Sequence, residues 1–192
     1  MRASMQSVSR IRRGVLPRAL AAAGLLFGAG PVPVAAHENM MTSTAVLAAT
    51  SGSSVSGSLK FRESKDRVVH ISGTVEGLTP GKHGFHIHVN GNCDSPDGMG
   101  AGGHYAPTGG RHGAPGSKDR HLGDLGNIEA DADGRAAVDV TAHGISIALM
   151  GAASVDGRSI VIHAREDDFS EPAGNSGARV ACGVIESDMM RM

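Results

Sequence analysis

The sequence predicts an all-β fold, a β-barrel or sandwich of short antiparallel strands with two long functional loops. Apolar and polar residues alternate in several short runs, and turn residues separate these runs. The 192 residues include 28 glycines and no tryptophan, a composition that favours short strands and loops over long helices. After residue 36, no window longer than ten residues has the pattern of an amphipathic helix. The length is expected for one domain.

The strands are predicted in order from the alternation. Residues 37–44 are interpreted as a flexible start, although the histidine and two methionines at its positions 37, 40 and 41 could bind copper transiently. The segment Asp131–Gly134 is typical of a hairpin turn. The predicted strands cover residues 55–61, 68–75, 84–89, 126–130, 136–141, 145–149, 159–163 and 180–185.

The first 36 residues are interpreted as a signal peptide, and residues 37–192 as the folded domain. Four arginines between positions 10 and 18 precede an apolar run, 19–30, that is too short to span a bilayer. Small residues then end at Ala36, the expected cleavage site. An uncleaved membrane anchor is the alternative, and Arg12-Arg13 leaves a twin-arginine route open. We therefore predict an exported protein, periplasmic or secreted.

The composition of the exported part excludes several partners. Residues 37–192 hold 13 basic and 19 acidic side chains, a net charge of −6. Such a domain is not expected to bind nucleic acid or an anionic membrane. Cys93 and Cys182 can pair in an oxidising compartment, and two free structural thiols are the alternative.

Two histidines on one predicted strand are the first candidate ligands. In the strand 84–89, successive side chains point to opposite faces, so His86 and His88 share one face. Phe85, Ile87 and Val89 are expected to pack on the other face. The pair could also be two ordinary surface histidines, and the residues that follow decide against this reading.

Further ligands lie in and after an irregular stretch, 90–120, whose length is typical of a functional loop. His104, His112, His121 and Asp124 offer three imidazoles and one carboxylate, a complete set for a closed tetrahedral zinc site. His86, His88 and His163 suit copper. If His104 is shared through its two ring nitrogens, both metals have four ligands.

Together these motifs closely resemble the bacterial, exported copper–zinc superoxide dismutases, over most of residues 37–192. The resemblance implies a Greek-key barrel, copper at His86, His88, His104 and His163, and zinc at His104, His112, His121 and Asp124. It also implies a disulfide between Cys93 and Cys182. The motifs that carry it are Gly84-Phe85-His86-Ile87-His88, Gly103-His104-Tyr105, His112-Gly113-Ala114-Pro115, His121-Leu122-Gly123-Asp124-Leu125-Gly126-Asn127, Val161-Ile162-His163 and Gly177-Ala178-Arg179-Val180-Ala181-Cys182-Gly183-Val184-Ile185.

The resemblance also implies residues that act without holding a metal. Arg179 is expected to attract the substrate. Asp167, with Asp168 as the rival position, is expected to accept hydrogen bonds from the far nitrogens of His86 and His112. Only 15 residues separate His163 from Arg179, so the family's substrate-guiding loop is shortened here. Arg165 is the one charged guide that can be carried over from the family, because its distance in sequence from His163 matches. The histidines expected at strand ends or on the surface are His70, His83 and His143.

The implied reaction is the dismutation of superoxide to oxygen and hydrogen peroxide at a copper centre that His104 bridges to a structural zinc. His104 and Arg179 are the implied catalytic residues, because His104 is expected to leave copper, take up a proton and donate it. The sequence argues against two other functions. A non-catalytic copper or zinc carrier of the same fold would be expected to lack Arg179 or a full copper set, and a zinc hydrolase needs an open zinc position. The oligomeric state is left open between monomer and homodimer.

Overall fold

The structure is a computed structural model that describes residues 41–191, with side chains described as far as Met189. The predicted signal peptide, its cleavage site and the copper ligands suggested at positions 37 and 40 lie outside the described residues. The strands are β1 (Thr42–Ala49), β2 (Ser56–Glu63), β3 (Val68–Glu76), β4 (Gly81–His88), β5 (Asp124–Ala130), β6 (Ala136–His143), β7 (Ser159–His163) and β8 (Arg179–Ser187).

The eight strands form one antiparallel sheet in the order β5-β4-β7-β8-β1-β2-β3-β6. Its two ends, β5 and β6, come close to each other, so the sheet curls into a nearly closed barrel. Three pairings join strands that are not consecutive in the chain: β1 with β8, β3 with β6 and β4 with β7. These crossings over the barrel make the connectivity a Greek key, and the all-β prediction is confirmed.

The core follows from the alternation read in the sequence. Every second side chain of the barrel strands points inward and is buried, because successive side chains of a strand face opposite sides. A single cluster of Val, Ile, Leu, Ala and Phe side chains fills the interior. Representative members, all inaccessible to solvent, are Leu59, Phe61, Val69, Ile71, Phe85, Ile87, Ile160, Ile162 and Ile185.

Helix contributes almost nothing to residues 41–191. The helical segments of this part are two short 3-10 turns, Met99–Ala101 and Asp188–Arg191. Among the same residues, no helix is long and apolar enough to cross a membrane. The two predicted loops are confirmed as irregular connections, 89–123 between β4 and β5 and 164–178 between β7 and β8.

The turn Asp131–Gly134 is confirmed, but its strands are not hydrogen-bonded neighbours. The Gly134 N–H donates to the Asp131 carbonyl at 3.0 Å, and Gly134 has a φ of 76°, which glycine adopts without strain. The strands that it joins, β5 and β6, stand at opposite ends of the sheet order. The turn therefore connects β5 and β6 across the gap in the barrel, but these two strands do not share a hydrogen-bonded ladder.

Three predictions of local structure were wrong. Residues 42–44 are not flexible, because they pair with both β2 and β8. Val89 does not pack with Phe85 and Ile87, since it lies past the end of β4 and its side chain is 37% exposed. Residues 145–149 do not form a strand, and the isolated bridge between Ser146 and Ser154 is the only β-pairing in this part of the described chain.

Candidate metal centre

Two barrel strands and one loop bring four histidines together. On β4, His86 faces Val161 and His88 faces Ser159 of the adjacent β7, which ends at His163. An isolated bridge joins His88 to His104 in the 89–123 loop. One ring nitrogen from each of His86, His88, His104 and His163 lies within 4.8 Å of the others. We call these residues the four-histidine group.

Backbone carbonyls determine which nitrogen His88 and His163 offer to this group. The Nδ1 of His88 lies 2.9 Å from the Gly102 carbonyl, and the Nδ1 of His163 lies 3.2 Å from the Gly177 carbonyl. An N–H at each Nδ1 donates to its carbonyl, which leaves Nε2 with the lone pair. The two Nε2 atoms lie 3.4 Å apart, so both lone pairs are available for a common ligand.

A second group forms where the same loop meets β5. Asp124, the first residue of β5, is fully buried. Its Oδ1 lies 2.8 Å from Nδ1 of His104, 3.1 Å from Nδ1 of His112 and 3.3 Å from Nδ1 of His121. Its Oδ2 accepts hydrogen bonds from the N–H groups of Gly113 and His121, both at 3.1 Å. We call His104, His112, His121 and Asp124 the histidine–aspartate group.

His104 belongs to both groups. Its Nδ1 faces Asp124, so Nε2 is the nitrogen that remains for the four-histidine group. Its ring packs against that of His86, with centroids 4.1 Å apart. One imidazole therefore links the two groups through opposite nitrogens, as the sequence predicted.

A buried carboxylate joins the groups a second time. Asp167 is fully buried, and its two oxygens lie 2.8 Å from Nε2 of His86 and 2.8 Å from Nε2 of His112. The predicted contacts of Asp167 are thus present. The rival Asp168 is exposed and instead accepts hydrogen bonds from Ser170 and Asn175.

The neighbours of Asp167 hold this carboxylate in place. Asn127 on β5 pairs with its backbone, accepting from the Asp167 N–H at 2.7 Å and donating to its carbonyl at 3.0 Å. The Phe169 N–H donates to Oδ1 at 2.8 Å. Gly174 lies so close that a Cβ there would collide with the carboxylate. The sequence reasoning did not assign Asn127 a role, because the residue contacts backbone and no candidate ligand.

The contacts of Asp167 explain two unusual nitrogens. Nδ1 of His86 and Nδ1 of His112 are buried and have no hydrogen-bond partner. Because Asp167 accepts a hydrogen bond from the Nε2–H of both residues, each Nδ1 has a lone pair and no donor nearby to use it. The Asp124 oxygen 3.1 Å from Nδ1 of His112 is itself an acceptor. A buried acceptor without a partner is costly, and a metal ion in each group would satisfy it. The residues therefore fit the two metals.

Electrostatics keep the ligands in their metal-binding forms. Burial lowers the pKa of His163 to about 3 and that of His88 well below its ordinary value. Burial also lowers the pKa of His86, although its hydrogen bond with Asp167 opposes the effect. Burial alone would raise the pKa of Asp124, but His104, His112 and His121 lower it to about 2. Neutral imidazoles and ionised carboxylates are the forms that coordinate metals.

A disulfide and an arginine tie the 89–123 loop to β8. Cys93 and Cys182 form a disulfide, with Cα atoms 5.6 Å apart. Arg179 donates from Nη1 to the Gly98 carbonyl at 2.7 Å and from Nη2 to the Gly102 carbonyl at 2.5 Å. It lines a cleft of about 610 Å³ together with His88, His104 and His163. Arg165 is not among the lining residues and donates to the Asn175 carbonyl instead.

The remaining histidines divide into two kinds. His70 and His143 are exposed strand residues, as predicted. His83 is neither exposed nor at a strand end, so that prediction was wrong. Its side chain is 2% exposed, and its ring nitrogens lie 2.8 Å from the carbonyls of His163 and Thr79. It therefore braces the backbone of one member of the four-histidine group.

Comparison with known proteins identifies the family. The family described as "Copper/zinc superoxide dismutase (SODC)" matches residues 55–185. The chain belongs to the copper/zinc superoxide dismutase family. The enzyme dismutates superoxide to oxygen and hydrogen peroxide, with copper and zinc as its cofactors. His104 bridges the four-histidine group, which is copper-like, and the histidine–aspartate group, which is zinc-like.

Relatives and a solved structure agree with this membership. A "Superoxide dismutase [Cu-Zn]" of Onchocerca volvulus is 43% identical over 155 residues, which are 74% of this chain and 96% of that protein. A "Superoxide dismutase [Cu-Zn] 2" of Mesembryanthemum crystallinum is 44% identical over 149 residues, 73% of this chain and 93% of the relative. A crystal structure described as the clock protein EA4 superimposes with a TM-score of 0.68 at 34% identity, covering 76% of this chain and 93% of the other.

Proposed function

We propose that the four-histidine group holds copper and the histidine–aspartate group holds zinc in this dismutase. The observation that carries the proposal is the position of His104, whose Nδ1 faces Asp124 while its ring packs on His86. An all-imidazole set suits copper, and three imidazoles with one carboxylate suit a closed zinc site. Four ligands leave zinc no open position for a hydrolytic water, so its proposed role is structural.

Copper, when bound, supplies the one-electron redox couple that takes an electron from one superoxide and gives an electron to the next. The protein's part is to bind, orient and protonate. His104 lines the cleft, and its Nε2, the nitrogen that does not face Asp124, can hold a proton and deliver it to the reduced substrate. Its Nδ1 stays directed at the histidine–aspartate group. Asp167 keeps Nε2 of His86 and His112 protonated, and so keeps Nδ1 of each free to coordinate.

Arg179 is proposed to bind the anion. Its guanidinium is held by the Gly98 and Gly102 carbonyls on the wall of the cleft. A guanidinium stays protonated and has no lone pair, so it cannot be a ligand. It can attract superoxide and hold it beside the four-histidine group.

The test is metal analysis of purified protein beside a dismutation assay. We expect one copper and one zinc per chain, with activity that is lost on chelation and restored by copper. A chain that binds both metals without turning over superoxide would support the alternative, a non-catalytic binding module. The presence of Arg179 together with a complete set of histidines favours the enzyme.

We also propose that the protein is bacterial and exported, working in the periplasm or outside the cell. The order of basic, apolar and small residues in the first 36 positions supports this, as does a disulfide, which persists in oxidising compartments. N-terminal sequencing of the exported protein should start at His37-Glu38-Asn39. A chain that keeps its first 36 residues and stays with the membrane would contradict the proposal. Whether the protein is a monomer or a homodimer stays open, and sedimentation would decide it.

A further inference from the structure

The lining of the cleft carries little charge. Among the described residues that line it, the side chains with a full charge at neutral pH are those of Arg179 and Asp97. The remainder of the lining consists of histidines and uncharged residues. A cleft that must capture an anion therefore has one cation and one anion among its lining side chains.

Asp97 lies on the short turn that holds the side chain of Arg179. Asp97 is exposed, and its Oδ1 accepts a hydrogen bond from the Met99 N–H at 2.9 Å. The next residue, Gly98, accepts the Arg179 Nη1 hydrogen bond at 2.7 Å through its carbonyl. A Cβ on Gly98 would lie 3.3 Å from both Cβ and Cδ of Arg179, so this backbone lies directly against the arginine side chain. The carboxylate thus belongs to the same turn that accepts a hydrogen bond from the guanidinium.

Asp97 and Arg179 also affect each other's pKa. The Met99 N–H is the main cause of the lowered pKa of Asp97, and Arg179 contributes to it. Burial lowers the pKa of Arg179, and Asp97 opposes that effect. Both side chains are ionised at neutral pH, so a small anion that enters the cleft experiences an attraction and a repulsion from neighbouring points.

We propose that Asp97 limits the rate at which superoxide enters the cleft, because its charge cancels part of the attraction of Arg179. Asp97 touches no metal ligand and takes no part in the chemistry. It acts through its field on the approach of the anion. This inference rests on the proposed function, since it assumes that superoxide reaches the four-histidine group through this cleft.

The variant Asp97→Asn removes the charge and keeps the hydrogen bond, because the asparagine Oδ1 can still accept from the Met99 N–H. Two unit charges about 4 Å apart in water change a rate by a factor of about five, and the factor becomes smaller as their separation grows. At about 0.01 M ionic strength, where the Debye length is about 30 Å, we expect kcat/KM per copper-loaded chain to rise about twofold to fivefold. The ratio of variant to native rate should approach one as salt is raised, since screening removes the effect.

Asp94→Asn is the matched control. Asp94 is exposed in the same loop but does not line the cleft, and the substitution makes the same change in net charge. We expect little change in its rate. A second measurement that does not depend on turnover is the equilibrium binding of azide to the copper-loaded protein, followed by absorbance. Asp97→Asn should bind azide more tightly than the native protein does, and Asp94→Asn should not.

The outcomes separate this inference from the proposed function. If the native protein binds both metals and turns over superoxide while Asp97→Asn has the native rate at low salt, the inference is wrong and the proposed function stands. A rise in kcat/KM that does not depend on salt, or an equal rise in Asp94→Asn, also overturns the inference. If the native protein loaded with both metals has no dismutase activity, the proposed function itself fails.

Discussion

Asp167 is the side chain whose replacement tests the arrangement of the site most directly. It accepts hydrogen bonds from one histidine of each group, His86 and His112. In Asp167→Asn, the amide keeps one acceptor oxygen and replaces the other oxygen with an NH₂ donor. That donor would face an imidazole N–H, so one histidine must lose its hydrogen bond or exchange its tautomer. The other histidine keeps an acceptor, but a neutral one, which forms a weaker hydrogen bond than the carboxylate does. We therefore expect this single substitution to weaken the binding of both metals.

The size of the effect follows from the contacts. Removing a carboxylate that hydrogen-bonds to a metal-ligand histidine typically lowers metal affinity about 10- to 100-fold, or about 1.4–2.8 kcal/mol. Asp167 is fully buried, and its two bonds of 2.8 Å are not exchanged for bonds with water. The loss for each metal should therefore lie in this range, with the larger loss at whichever histidine faces the NH₂ group.

The measurement is competitive titration of copper and of zinc against chelators of known affinity. Asp168→Asn is the control, because Asp168 is the adjacent acidic residue in the same loop, is exposed and bonds only within that loop. We expect native affinities for both metals in this control. If Asp167→Asn kept native affinity for both metals, or if Asp168→Asn lost as much, Asp167 would not orient the two histidines.

Three further predictions concern single features of the site. His112→Ala should release zinc, leave copper largely bound and lower the melting temperature, as metal analysis and calorimetry would test; equal loss of both metals would contradict the assignment. Arg179→Glu should lower the dismutation rate about tenfold or more and weaken or reverse its slowing by salt, with unchanged metals; an unchanged rate would exclude its role. In chelated protein, the free energy of unfolding should fall as pH is lowered from about 7, because His163 takes up a proton near pH 6.5 when unfolded but only near pH 3 when folded. Denaturant unfolding of the metal-free protein at several pH values measures this, and greater stability in acid would be the opposite result.

Alternation located most of the barrel strands, and its one false strand has a physical cause. Ile145 and Ile147 alternate with polar residues and are both buried, as in a strand. Their backbone, however, has no neighbouring strand to pair with. The Ile147 N–H donates instead to the buried carboxylate of Glu63 on β2 at 2.9 Å. Periodicity predicts which side chains are buried, but it does not predict the hydrogen-bond partners of the backbone.

The candidate metal ligands could be predicted because residue type and spacing along the chain indicate them. The supporting residues His83 and Asn127 could not be, since both act on backbone atoms. His83 lies 2.8 Å from the His163 carbonyl, and Asn127 bonds the N–H and the carbonyl of Asp167. These contacts join positions about 40 and 80 apart in the chain. Such pairs depend on the three-dimensional approach of β4 to β7 and of β5 to the 164–178 loop, which no local pattern contains.

The two groups differ in what holds their ligands, and this difference determines what each metal does for the fold. His86, His88 and His163 lie on paired barrel strands that have their own hydrogen bonds and core. The barrel therefore positions most of the copper-type ligands before any metal binds. Three of the four histidine–aspartate ligands precede β5 in the 89–123 loop, an irregular connection held by the disulfide, the Arg179 bonds, backbone hydrogen bonds and the buried Tyr105. Zinc should thus order a loop, whereas copper enters a site that the barrel has already built. Because His104 lies in that loop and completes the copper-type set, loss of zinc should loosen one copper ligand without disturbing the other three.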